Sequence, residues 1–161
     1  IVGHSLGGRV IPSLAETLPV RGLIFLAGAV QEGVFGAVPE GPTLLIPHDE
    51  RVVGADGLVR TPAPVAERYF YHDVPPGLRA WASAQLRPQS SRALASVRLP
   101  RLDSSPAVAY IVCADDRALS PTWQRAVARR TLRVQPHELP GCHSPFLTRP
   151  GELAEVLTSV A

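Results

Sequence analysis

Ser5 stands in the stretch Gly3-His4-Ser5-Leu6-Gly7-Gly8, a G-x-S-x-G spacing. In this pattern a strand turns sharply into a helix and presents a serine hydroxyl at the apex. So tight a turn demands small neighbours. Gly3 and Gly7 are expected where a Cβ has no room, and Gly8 where the helix packs closely on its neighbour. The helix begins just behind Ser5, so its first free N–H groups favour an anion forming there. In acyl transfer that anion is the tetrahedral oxyanion, and the Leu6 N–H is the expected donor. The same five residues also occur as a glycine-rich turn without chemistry, so context and partners decide. Ile1-Val2 reads as the end of an apolar strand. Residues 6–18 read as a helix, with Val10, Ile11, Leu14 and Leu18 at helical spacing.

A serine nucleophile needs a base. His143 lies in the loop Pro140-Gly141-Cys142-His143-Ser144-Pro145 after a late strand, from which its ring can reach back over the strand ends. Asp115 or Asp116, in the loop after residues 107–113, would hold the imidazole tautomer and stabilise the imidazolium. Asp116 is preferred, because Asp115 sits nearer the strand and suits loop capping or solvent. A loop histidine or an Asp-Asp turn alone means little. The weight lies in the order Ser, Asp, His at the ends of consecutive α/β units.

The elements that must place these residues follow from the apolar pattern. Residues 23–27, between Gly22 and Gly28, fit a buried parallel strand, and residues 1–27 then form a right-handed strand–helix–strand unit. Pro12 is expected to bend the first helix from within. Residues 107–113 resume the sheet, and Ser120-Pro121 opens a helix over 121–131. Residues 132–139 read as a weaker strand. Leu153, Val156, Leu157 and Val160 mark a last helix. Between the two core parts, 1–28 and 101–161, residues 29–100 are rich in proline. Short helices are expected over 64–71, 76–86 and 91–97, with mostly loop over 33–61. Such an insertion reads as a helical cap or lid, and Tyr69, Tyr71 and Trp81 within it are candidate substrate contacts.

Composition narrows the class. The 161 residues allow one domain with a real core, 45% are hydrophobic and 19% charged. All 16 basic residues are arginine, which we read as a compositional bias. The net charge of +2 is small and scattered, so no nucleic-acid partner is expected. Two cysteines, Cys113 and Cys142, make no disulfide framework and read as buried small apolar residues. His48, His72 and His137 have no ligand spacing, so no metal is expected. No apolar run is long enough to span a membrane, and a cytoplasmic location is expected.

Three stretches together resemble the α/β-hydrolase superfamily. These are Gly-His-Ser-Leu-Gly-Gly, Tyr-Ile-Val-Cys-Ala-Asp-Asp-Arg-Ala-Leu-Ser-Pro and Leu-Pro-Gly-Cys-His-Ser-Pro-Phe-Leu. The nearest branch is the one that includes plant methylesterases and hydroxynitrile lyases, with many bacterial members. Residues 69–75 and 84–89 resemble the cap of those bacterial members. The resemblance implies an α/β fold with a parallel sheet and a helical cap. It implies Ser5 as nucleophile, Asp116 as orienting carboxylate and His143 as base, with no cofactor. Members of that superfamily carry further strands and a second oxyanion loop ahead of the serine. An N-terminal segment is therefore expected to precede Ile1, and the 161 residues alone are expected to fold in part and turn over little ester.

Two readings follow. One is a cofactor-free serine hydrolase acting on a small ester or related acyl compound, its partner a small-molecule substrate; the same triad also serves lyases. The other is a non-catalytic small-molecule binding protein or inactive hydrolase fragment. The oligomeric state is not legible.

Overall fold

In the computed structural model, residues 1–41, 43–90 and 106–160 are described. Four parallel strands run in the spatial order β1 (Val2–His4), β2 (Gly22–Leu26), β6 (Ala107–Cys113) and β7 (His137–Leu139). Side chains alternate across them. Leu23 and Phe25 join Tyr110 and Val112 on one face, packed on Ile11, Trp123 and Val127. Ile24, Leu26, Ile111 and Cys113 fill the other face, against Leu153. Both faces are covered, which is why β2 and β6 read as unbroken apolar runs.

The helices are shorter than the apolar periodicity implies. Residues 6–18 do not form one helix. A tight 3₁₀ segment, Ser5–Arg9, is followed by α1 (Ile11–Ala15). Pro12 thus sits in the first turn of α1, where its missing N–H has no intrahelical partner to lose, and it bends nothing. Ser120 does cap α4 (Pro121–Ala126), its Oγ accepting from the Trp123 N–H at 3.3 Å. Residues Val127–Thr131 continue it as a wide π turn, closed by the Leu132 N–H on the Val127 carbonyl. Of residues 132–139 only β7 is strand. The last helix is α5 (Pro150–Val160), and among the described residues no helix is long and apolar enough to cross a membrane.

Between β2 and β6 lie α2 (Ala63–Tyr69) and α3 (Pro76–Ala84), close to their expected places. The expected helix over 91–97 falls outside the described residues. Residues 33–61 are mostly loop, as expected, but hold two short strands. An antiparallel sheet forms there from β3 (Val52–Val53), β4 (Leu58–Arg60) and β5 (Gln89–Ser90). Its hairpin turns at Gly57, whose φ is +72°, and Asp56 accepts the Leu58 N–H at 3.0 Å. That is the Asp-Gly turn chemistry that joins two short β runs.

The turn after β1 holds Ser5 at φ +51°, in the left-handed region. A serine there carries backbone strain of about 1 kcal/mol or more, so the surroundings must enforce it. The Ala29 N–H bonds the Ser5 carbonyl at 2.8 Å, and the Tyr110 hydroxyl donates to the Gly28 carbonyl at 2.8 Å from inside the core. A Cβ on Gly3 would lie 2.8 Å from the Gly7 carbonyl oxygen, and one on Gly8 2.6 Å from that of Ala29. A Cβ on Gly7 would meet open space, so the expected crowding at that glycine is corrected: the close approaches run through Gly3 and Gly8. Gly8→Ala is therefore expected to lower stability by about 1–3 kcal/mol through overpacking, while Gly7→Ala leaves it unchanged or slightly raised. Urea unfolding of the two variants checks this; equal losses would contradict it.

Candidate active site

Ser5, Asp116 and His143 come from three separate turns at the same end of the sheet and meet. The Asp116 Oδ2 lies 2.6 Å from His143 Nδ1, and His143 Nε2 lies 2.8 Å from Ser5 Oγ. A carboxylate only accepts, so Nδ1 carries the proton and donates. Nε2 is then free to accept the serine O–H. A hydroxyl donating to an imidazole that a carboxylate orients is the arrangement by which a general base activates a nucleophile.

Asp116 and His143 are both buried, and a buried carboxylate must be fully satisfied. Asp116 Oδ1 accepts the backbone N–H groups of Ala118 at 2.7 Å and Leu119 at 2.9 Å. Its Oδ2 accepts from Gln124 Nε2 at 2.9 Å as well as from His143. Gln124 is itself wholly buried; its Nε2 also donates to the Leu119 carbonyl and its Oε1 accepts the Cys113 N–H. Sequence reasoning missed this residue. The signal was present: Gln124 shares the inward face of its helix with Val127, Ala128 and Thr131, at i, i+3, i+4 and i+7. A glutamine on such a face needs a buried polar partner.

Asp115 is exposed, but it does not merely face solvent. Its Oδ2 accepts the Gly141 N–H at 2.8 Å, bracing the loop that carries His143. Asp73 accepts the next N–H, that of Cys142, at 3.0 Å. Cys113 and Cys142 are buried, free thiols. Burial pushes both thiols up, that of Cys142 to about 12, so neither serves as a thiolate nucleophile near neutrality.

His4, the residue before Ser5, packs against His143, and it does more. Its Nε2 donates to the His143 carbonyl at 2.7 Å, and its ring centre lies 4.8 Å from that of His143. Burial, then the neighbouring imidazole, lower its pKa from 6.5 to about 4. It is therefore uncharged near neutral pH.

Ser5, Leu6 and His143 line a cavity of about 240 Å³ whose walls include Ile46, Phe70 and Leu119. None of the three expected aromatic contacts lines it. The Tyr69 hydroxyl donates to Glu50 at 3.2 Å. Tyr71 is packed in a separate cluster with Ala66, Val74 and Cys142. Trp81 is 57% exposed, because α3 turns Ala82 and Ser83 inward instead. The aromatic at the site is Phe70, between the two tyrosines, 5.5 Å from the His143 ring. Among the described residues no group of three or more His, Cys, Asp or Glu side chains is placed to hold a metal ion.

Residues 1–156 match the sequence profile of the alpha/beta hydrolase family, and the chain belongs to that family. The fold is likewise similar to solved structures of esterase-like enzymes. The methylesterase MES16 from Arabidopsis is 23% identical with a TM-score of 0.77; the match covers 99% of this chain and 67% of that one. The pyrethroid hydrolase PytH is 25% identical with a TM-score of 0.70, over 98% of this chain and 68% of its own. Polyneuridine aldehyde esterase is 17% identical with a TM-score of 0.76, over 99% and 70%. No curated protein sequence matches. The fold is thus the alpha/beta hydrolase fold in part, and its class is that of a hydrolase.

The low pKa of His4 has a thermodynamic consequence. The unfolded chain binds the His4 proton more tightly than the folded one, so stability is full above pH 6.5 and falls as pH drops toward 4. The loss from this residue is about 2–3 kcal/mol. His4→Gln keeps a donor for the His143 carbonyl but cannot charge. Its unfolding free energy is expected to fall less than the parent's between pH 7 and pH 4.5; equal falls would refute the assignment.

Proposed function

We propose that this protein hydrolyses a small ester by a serine mechanism that needs no cofactor. The observation that carries the reading is the continuous hydrogen-bonded run from Asp116 through His143 to Ser5. Ser5 Oγ attacks the ester carbonyl carbon as its proton passes to His143 Nε2. The carbonyl oxygen takes the electron pair, and the Leu6 N–H donates to that oxyanion. Collapse expels the alcohol, which takes the proton from His143. Water then attacks the acyl-serine with His143 again as base, releasing the acid and restoring Ser5. Asp116 orients the ring and stabilises the imidazolium. Residues 29–100 act as the cap that bounds the substrate. A cavity of about 240 Å³ lies below the roughly 300–1,000 Å³ of drug-sized pockets, which favours a small substrate.

Three variants of the intact protein test the roles. Ser5→Ala is expected to remove nearly all hydrolysis of a short-chain nitrophenyl ester while leaving the fold intact. Asp116→Asn is expected to lower kcat by about 10⁴-fold, the loss found in a well-studied triad. Asp115→Asn keeps an acceptor for the Gly141 N–H and is expected to cost far less. Parent-level turnover by Ser5→Ala would end the nucleophile assignment. A larger loss for Asp115→Asn would reverse the two aspartates.

A further inference from the structure

Part of the cavity wall is built by the small antiparallel sheet and its flanks. Arg51 precedes β3, Thr61 follows β4, and Arg87 and Gln89 stand at the start of β5; all four line the cavity. Two arginines therefore line the same small space as the serine. Among the described residues no aspartate or glutamate lines it.

The arginine beside β3 is unsatisfied in a specific way. Arg51 Nε is shut off from solvent and has no hydrogen-bond partner among the described residues. The adjacent carboxylate, Glu50, does not serve it. Glu50 is taken by Arg68, at 3.2 Å, and by the Tyr69 hydroxyl. The other arginine of the sheet, Arg60, is held by Asp56 at 2.6 Å. A buried guanidinium donor without an acceptor costs free energy, and an anion seated against the cavity wall that Arg51 helps to form would offset part of that cost. The fork of an arginine matches a carboxylate, which it binds through short charge-assisted bonds.

We infer that the substrate is an ester that also carries a carboxylate, bound by Arg51 and assisted by Arg87 while its ester carbonyl lies at Ser5. This deepens the proposed hydrolase function and rests on it. The apolar walls, Leu44, Ile46, Val59 and Leu86 among them, would take the carbon chain between the two ends. Half-esters of short dicarboxylic acids have this form.

The test separates binding from turnover. Monomethyl glutarate and monomethyl adipate, with their dimethyl esters as neutral controls, are titrated calorimetrically into Ser5→Ala protein. At least one half-ester is expected to bind about tenfold or more tightly than its own diester, with the advantage shrinking as salt is added. Adding Arg51→Gln or Arg87→Gln is expected to cut that ratio severalfold, and Arg51→Lys to retain part of it. Arg130→Gln, away from the cavity, keeps it. Diesters that bind as tightly as both half-esters overturn the inference, as does a preference that survives Arg51→Gln and Arg87→Gln together. Should Arg51→Gln fail to fold, the half-ester against diester comparison and Arg87→Gln still decide. Methanol release by the Ser5 protein reports on the hydrolase reading separately. A half-ester preference in binding with no release of methanol from any ester contradicts the hydrolase and leaves the anion site standing.

Discussion

A carboxylate buried beneath a histidine governs this site. Asp116 is only 3% exposed, and in that setting an unmet acceptor would cost several kcal/mol. Four donors meet it: two backbone N–H groups of its own loop, the amide of Gln124 and the ring of His143. The four donors come from three parts of the frame. The loop after β6 must curl so that residues 118 and 119 point back. The helix after Ser120 must turn Gln124 inward. The loop after β7 must bring His143 over the strand ends. The capped start of α4 and the braces from Asp115 and Asp73 make sense as the means by which these demands are met together.

The second constraint is the turn at Ser5. A left-handed serine persists only where its neighbours leave no alternative. Here the carbonyl of Ser5 is held by Ala29, and Gly8 lets the 3₁₀ segment approach that same residue closely. Residues 27–30, just after β2, thereby lock the backbone of Ser5, and Tyr110 anchors them from β6. Strand pairing, core packing and the position of one hydroxyl are thus a single arrangement. Residues 43–46 meet it. The Ser120 N–H donates to the Thr43 carbonyl and the Leu45 N–H to the Ala118 carbonyl, so the cavity wall is tied to the Asp116 loop.

Much of this was legible in the sequence. The apolar runs of β2 and β6, the capped helix after Ser120 and the three polar residues at strand ends are all local signals, and they led to the fold and to Ser5, Asp116 and His143. What was not legible depends on tertiary distance. Whether a glycine is crowded depends on what lies across from it, so Gly7 and Gly8 looked alike. Tyr69, Phe70 and Tyr71 are consecutive on a helix end and point in different directions, and only packing selects Phe70 for the cavity. The Asp56-Gly57 turn and inward Gln124 were readable by ordinary rules of hairpin chemistry and helix periodicity. They were hidden by the proline-rich setting of the one and the polarity of the other.

The central claim is that this turn makes one serine, among several, a nucleophile. It is tested most directly by treating the folded protein with a fluorophosphonate and locating the adduct by tryptic mass spectrometry. The account predicts a single adduct on the peptide ending at Arg9, with the phosphorus on Ser5, and its loss in His143→Ala. Labelling of another serine, or no labelling of protein shown to be folded, would contradict it.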